Sequence, residues 1–249
     1  MSVGVLITAR LKSTRLPRKV MKPLGGRPMI DHLIDRMRGV SGASEVVVIT
    51  SPLEDDRELV EHCADIGVPC FLGDPEDVMA RMRDAAAEYG FDTIVSATAD
   101  NPFVSGEHAD QLLRVHLEGG HDFTKTEGLP WGAFAYAIDC EALKKACTLV
   151  GTRDTEVWGG YFTQSGLFDI GSLSYDDPAV RRPDYRVTVD TPADFAAVEA
   201  IIAELGTDHT ASLAEIVALL DARPDNVAVN ANVEQKAGVP IVLKSDDGS

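Results

Sequence analysis

The sequence has no run approaching the ~18 consecutive apolar residues that a membrane-crossing helix needs, although 45% of its 249 residues are hydrophobic. That argues against a membrane span and leaves apolar material for one sizeable core. The opening, MSVGVLITARL, becomes charged too early for a secretory leader. Four cysteines, Cys63, Cys70, Cys140 and Cys147, include no C-x-x-C pair. They read as free thiols in a reducing cytoplasm. Basic residues are scarce: 23 Lys and Arg stand against 40 Asp and Glu, for a formal net charge of −17. A nucleic-acid surface, which requires a basic face, is thereby disfavoured. Neither G-x-G-x-x-G nor G-x-x-x-x-G-K-[ST] occurs, which argues against a dinucleotide site and a Walker-type site. There is no internal repeat and no low-complexity tract.

The few cations that are present are concentrated. Arg10, Lys12, Arg15, Arg18, Lys19 and Lys22 fall in one segment after the first apolar run. An acidic protein repels free nucleotides at long range, so one that binds a triphosphate has to gather its basic groups in one place. A solvated surface loop is the alternative reading of the same cluster.

Hydrophobic periodicity gives the organisation. Val3 to Ala9 reads as a buried strand, and residues 10–26 as a loop broken by Pro17, Pro23 and the Gly25-Gly26 pair. Met29, Ile30, Leu33, Ile34 and Met37 share one face of a helix over 29–38. A strand over 45–50, a helix over 54–66, a short strand over 69–72 and a strand over 93–97 follow. Asp74 is placed to cap a helix beginning at Pro75. This alternation predicts a parallel, doubly wound sheet with helices on both faces. Later strands are expected over 133–138, 168–173 and 185–189, with helices over 140–148, 192–205 and 213–221. The whole is expected to be one domain over 1–240. Within it, 1–125 is the nucleotide-binding half, 126–185 an inserted acceptor and dimerisation region, and 186–225 a closing strand with terminal helices. Residues 241–249 are expected to form a flexible tail.

Ligands of open parallel sheets bind beyond the carboxyl ends of the strands. The loop after the first strand offers Arg10, Ser13, Thr14, Arg15 and Lys19 there, the guanidinium forks, hydroxyls and ammonium that suit a triphosphate. Asp100 lies just past the 93–97 strand. It reads either as a magnesium ligand or as the first residue of an Asp-Asn-Pro turn. Asp190, at the end of the 185–189 segment, reads either as a second carboxylate for the same ion or, with Thr191, as the cap of a helix that has Pro192 in its first turn.

Taken in order, these segments resemble the sugar cytidylyltransferases, a group that includes CMP-ketodeoxyoctulosonate synthetases and spore-coat polysaccharide cytidylyltransferases. The resemblance is carried by Ile7-Thr8-Ala9-Arg10-Leu11-Lys12-Ser13-Thr14-Arg15-Leu16-Pro17-Arg18-Lys19 and by Leu24-Gly25-Gly26-Arg27-Pro28-Met29-Ile30 with His32 and Arg36. Gly73-Asp74 with Asp77-Val78, Ala99-Asp100-Asn101-Pro102-Phe103, and the stretch from Tyr185 to Phe195 continue it. It extends over nearly the whole chain. Ala99 replaces a common Gly, and Thr155-Glu156-Val157-Trp158 lacks the His of the spore-coat branch. The resemblance implies a three-layer, Rossmann-like nucleotide-diphospho-sugar transferase fold. It implies a homodimer that moves CMP from CTP to a sugar acid or sugar phosphate with Mg2+. Arg10, Ser13 and Lys19, with Arg15 as a further candidate, match triphosphate positions. Asp100 and Asp190 match metal positions, and Thr8, Ala9 and Thr98 lie where the base is read.

Other residues carry less. His32 reads as packing, and His116 with His121 lacks a third metal ligand. Cys140 and Cys147 pack on one helix, and Trp131 and Trp158 read as core or interface. A glycosyltransferase using a nucleotide-sugar donor and a non-catalytic nucleotide-binding protein are the competing readings. The first usually carries an Asp-x-Asp that is missing near Asp100, and the second sits poorly with two acidic residues in metal positions.

Overall fold

A computed structural model describes residues 1–152, 154–206, 211–235 and 241–244 of the chain. Its centre is a seven-stranded sheet in the order β5-β4-β1-β6-β8-β7-β9. The strands are β1 (Val3–Thr8), β4 (Glu45–Thr50), β5 (Cys70–Leu72), β6 (Thr93–Thr98), β7 (Phe123–Glu127), β8 (Tyr136–Asp139) and β9 (Ile170–Ser174). Pairing is parallel from β5 through β6 and between β7 and β9, and only β8 runs against the rest. A hairpin of β2 (Pro23–Leu24) and β3 (Arg27–Pro28) closes the first loop, with both turn glycines at positive φ, Gly25 at 59° and Gly26 at 88°. That conformation suits glycine, which has no Cβ to clash.

Two-residue alternation distributes the core to both faces of the sheet. Val5, Ile7, Val48, Val95 and Ala97 pack with α1 (Met29–Met37), α2 (Arg57–Asp65), α4 (Gly106–Gly119), α7 (Pro192–Leu205) and α8 (Leu213–Ala222). Leu6, Val47, Ile49 and Ile94 pack with α3 (Val78–Tyr89), α5 (Cys140–Leu149) and α6 (Gly159–Thr163) on the other face. A last short helix, α9 (Pro224–Ala228), follows α8. The expected three-layer, mostly parallel fold is therefore observed. All five apolar residues assigned to the α1 face are buried, and His32 on the same helix donates from Nε2 to the Leu24 carbonyl at 2.9 Å.

Several local expectations are corrected. The helix expected at Pro75 begins at Val78, where Asp77 accepts from the Ala80 amide at 2.9 Å. Asp74 instead closes a turn over the amides of Glu76 and Asp77. The Pro75 carbonyl is taken by Arg10, and the Met79 amide that would have bonded it goes to Thr155 Oγ1 at 3.1 Å. The strand expected over 133–138 begins at Tyr136, because Ala133 is held in a turn by the Pro130 carbonyl. The 185–189 segment is extended but joins no ladder. Its bonds run to two loops, with Trp131 N to Tyr185 O and Val187 N to Trp131 O both at 2.8 Å, and a bridge pairs Trp131 with Arg186. Burial of Val187 and Val189 produces the strand-like pattern without a neighbouring strand. Part of the expected tail is tied down: Gly151 donates to Val242 O at 2.7 Å and Lys244 to Leu149 O at 2.9 Å. Residues 245–249 lie outside the described set.

Gly132 is where the loop before β8 passes the 185–189 segment. It has φ +96°, and a Cβ there would lie 2.5 Å from the Thr188 nitrogen. Gly132→Ala therefore combines a disfavoured backbone with a clash against main chain that has no room to yield. We expect it to destabilise the fold by more than about 2 kcal/mol, read as a lowered thermal midpoint. An unchanged midpoint would contradict this packing.

Candidate active site

The site forms where β1 and β6 end. From β1 the chain enters the cationic loop, which is closed on itself by the Arg18 amide donating to Leu11 O at 3.2 Å. Arg18 adopts a left-handed conformation, φ 57°, alone among the described non-glycine residues. That turn leads into the single helical turn Lys19–Met21, where Val20 is buried and anchors the backbone. Lys19 is thereby directed inward. Its ammonium donates to Asp100 Oδ2 at 3.2 Å, to Asp190 Oδ1 at 3.1 Å and to the Val189 carbonyl at 2.7 Å. Asp100 lies two residues past the end of β6, and its main-chain carbonyl accepts the Val189 amide at 2.8 Å. That bond lays the segment carrying Asp190 beside the one carrying Asp100. Two acidic residues far apart in sequence thus share one cation. Arg15 adds a second, 2.9 Å from Asp190 Oδ1.

The remaining expected residues divide. Arg10 is turned away from this pair, toward the β4 side. Its Nε lies 2.7 Å from Asp56, and its Nη1 bonds the Pro75 carbonyl. Ser13 accepts the Leu16 amide at 3.3 Å and so shapes the loop. Thr98 Oγ1 accepts from Asn101 Nδ2 at 2.6 Å, and Ala9 is buried with its amide on the Ile49 carbonyl at 3.1 Å. Thr8 Oγ1, at the end of β1, is buried without a partner. The same is true of Thr50 Oγ1 at the end of β4, and of Asp100 Oδ1 and Asn101 Oδ1 past β6. Buried polar atoms nearly always find partners. Their concentration at the carboxyl edge of the sheet marks that edge as a place built to meet a polar ligand.

Sequence reasoning missed four contributors. Asp56 is fully buried, accepts from the Leu11 amide at 2.7 Å and from Ser51 Oγ, and forms an ion pair with Arg10. It holds the start of the cationic loop. Arg81 on α3 is 1% exposed with Nε and Nη1 unpartnered. Burial pushes its guanidinium down to about 10, and nearby Arg10 adds to the effect. Arg186 and Asp194 stand behind Asp190. Arg186 Nη2 lies 2.9 Å from Asp190 Oδ2, and its Nε lies 2.7 Å from Asp194 Oδ1. The four-residue steps from 186 to 190 to 194, with Thr191 three before Asp194, are a visible signal for this cluster. Thr191 and Asp194 form a reciprocal capping box at the start of α7.

Burial raises the carboxyl pKa of Asp190, but Lys19, Arg15 and Arg186 outweigh it and hold the group below its ordinary 3.8. Asp194 is likewise opposed by burial and lowered by Arg186, the Asp190 amide and Thr191. A depressed carboxyl contributes stability that is fully present above its ordinary value and lost as pH falls through the folded-state value. The stability difference between the native chain and Asp194→Asn should accordingly be largest near neutral pH and shrink below 3.8. A difference that grows on acidification, followed by thermal unfolding across that range, would contradict the assignment.

The donor set also discriminates between metals. Among the described residues no group of three or more His, Cys, Asp or Glu converges as a metal site. His116 is buried with Nδ1 2.9 Å from Thr124 Oγ1, and His121 Nδ1 lies 2.6 Å from Asp169. Asp100 and Asp190 provide two carboxylates, with Asp100 Oδ1 unpartnered. This fits magnesium, which takes one or two carboxylates and completes its shell with phosphate oxygens and water. It does not fit the closed nitrogen and sulfur shell of structural zinc.

Known proteins are similar to this chain in sequence and in fold. The spore coat polysaccharide biosynthesis protein SpsF of Bacillus subtilis is 30% identical over 227 residues, covering 88% of this chain and 94% of its own. A 3-deoxy-manno-octulosonate cytidylyltransferase of Gemmatimonas aurantiaca is 31% identical over 150 residues, 58% of this chain and 54% of its own. The solved structure of a cytidylyltransferase from Leptospira borgpetersenii superposes with a TM-score of 0.84 at 24% identity, covering 95% of this chain and all of its own. At that identity the superposition speaks for the fold. No described helix is long and apolar enough to cross a membrane. Residues 4–157 match the profile of the cytidylyltransferases, and with a relative alike over most of both chains, this protein belongs to the cytidylyltransferase family.

Proposed function

We propose that the protein transfers CMP from CTP to a sugar acid or sugar phosphate, releasing pyrophosphate, with Asp100 and Asp190 holding Mg2+. The observation that carries this reading is the convergence of those two carboxylates on the Lys19 ammonium, at 3.2 and 3.1 Å, beside the cationic loop. An acceptor oxygen attacks the α-phosphorus, the bond to the β-phosphate oxygen breaks, and pyrophosphate departs with the electron pair. Such transfer relies mainly on positioning and charge neutralisation. Mg2+ held by Asp100 and Asp190 would supply charge neutralisation for the phosphates and would make an acceptor hydroxyl easier to deprotonate, its proton passing to solvent water.

The chain's own residues do the rest. Lys19 and Arg15 stand at the carboxylates and turn their N–H groups to the triphosphate as it enters. Arg10, braced by Asp56, supplies a second cationic point toward β4. The unpartnered hydroxyl of Thr8 and the backbone near Ala9 lie on the side where the base is held. The test is a pyrophosphate-release assay crossing four nucleoside triphosphates with sugar acids and sugar phosphates. Release with CTP and one acceptor class is the expected result. A different base winning overturns the CTP assignment, and CTP binding without turnover on any acceptor overturns the enzymatic reading.

A further inference from the structure

We propose that Arg186 is a positioning residue for Asp190, and that the C-terminal segment braces it through Asn230 and Gln235. The inference rests on the metal role given to Asp190 above.

The two oxygens of Asp190 face different partners. Oδ1 faces the cationic loop, 3.1 Å from Lys19 and 2.9 Å from Arg15. Oδ2 is held from behind by Arg186 Nη2 at 2.9 Å. The same guanidinium reaches Asp194 through Nε at 2.7 Å and Nη2 at 3.2 Å, so one planar fork ties two carboxylates together. Asp194 is a rigid base for this. It is fully buried and also accepts from the Asp190 amide at 3.0 Å, the Thr191 amide and hydroxyl at 2.9 Å each, and Asn230 Nδ2 at 3.0 Å. Asn230, itself buried, donates to the Arg186 carbonyl at 3.1 Å, and Gln235 accepts from Arg186 Nη1.

Turning the Asp190 carboxyl out of its plane would break the contact to Arg186, so the network fixes the orientation of the carboxylate, with one oxygen held by Arg186 and the other presented to Lys19 and Arg15. Partners behind a metal-binding carboxylate orient it and are worth a substantial part of the affinity. Lysine is not equivalent here, because one ammonium cannot reproduce the planar set of separated nitrogens that meets Asp190, Asp194 and Gln235 in fixed directions. If Arg186 served only to neutralise buried Asp194, its loss would lower stability and leave the folded protein's metal affinity unchanged.

The experiment measures Mn2+ binding by electron paramagnetic resonance in the presence of CTP and absence of acceptor, alongside thermal unfolding, for Arg186→Met, Arg186→Lys and Asp190→Asn. For Arg186→Met, well below its melting temperature, the Mn2+ dissociation constant should rise about 10- to 100-fold. Arg186→Lys should recover part of the thermal stability but not the metal affinity. Native Mn2+ affinity in either folded Arg186 variant overturns the proposal, and Arg186→Lys decides the matter if Arg186→Met does not fold. Asp190→Asn separates the levels. Native Mn2+ binding there means that the metal role of Asp190 has failed. Lost binding there, with native binding in the Arg186 variants, means that only the positioning role has failed.

Discussion

Asp100→Asn should reduce CTP-dependent pyrophosphate release by about three orders of magnitude or more, the scale on which electrostatic stabilisation of phosphoryl transfer operates, while the protein stays folded. The substitution keeps the shape of the side chain and removes its charge. The backbone link that places Asp190 is untouched, because it uses the Asp100 main-chain carbonyl as acceptor for Val189 N. Lys19 retains Asp190 and the Val189 carbonyl as partners. The asparagine amide can still turn its oxygen to the ammonium. Fold and chemistry are therefore separable at this position. The thermal midpoint should move little and turnover should disappear. Near-native turnover in a folded Asp100→Asn protein would remove the residue from the mechanism.

The second large effect is expected at Lys19. It makes contacts to two carboxylates and a carbonyl from a side chain only 13% exposed. Removing the ammonium in Lys19→Met leaves Asp100 and Asp190 facing each other with Arg15 and Arg186 on the latter only. Like charges in a partly buried site repel strongly. The variant should lose turnover by about 100-fold or more and also melt at a lower temperature, in contrast to Asp100→Asn. Lys19→Arg should not restore activity, because a planar guanidinium cannot direct its donors to three acceptors gathered around one point. Full recovery in Lys19→Arg would show that charge alone suffices and that the threefold geometry is incidental.

What could be read from the sequence was whatever is local and apolar. β1, β4 and β6 are buried on both faces and therefore appear as short apolar runs, and α1 shows its core face by spacing alone. The 185–189 segment misleads for the same reason: Val187 and Val189 are fully buried, yet their backbone bonds go to loops. Of the site, the cationic loop was visible as composition, whereas the pairing of Asp100 with Asp190 stood as one of two local readings and was favoured only by the family resemblance. Each sits in a turn or cap sequence that explains it locally, and a hydrogen bond between Val189 and Asp100 leaves no trace in either segment alone. Asp56, Arg81 and Asp194 were hidden because a charged residue on a helix ordinarily signals the solvent side. Here Asp56 and Asp194 are fully buried and Arg81 nearly so, and Asp56 takes the Leu11 amide from a loop 45 positions earlier.

The bond from Val189 N to Asp100 O has a consequence for the order of events in folding. β1, β4, β5 and β6 can pair through parallel crossovers using the first hundred residues. The second acid arrives only when a segment some ninety positions later closes over them, and contacts of such separation form late because loop closure must precede any reward. During refolding, sheet content should thus return before the ability to retain a divalent ion. A chain cut after the β-strands would be architecture without chemistry.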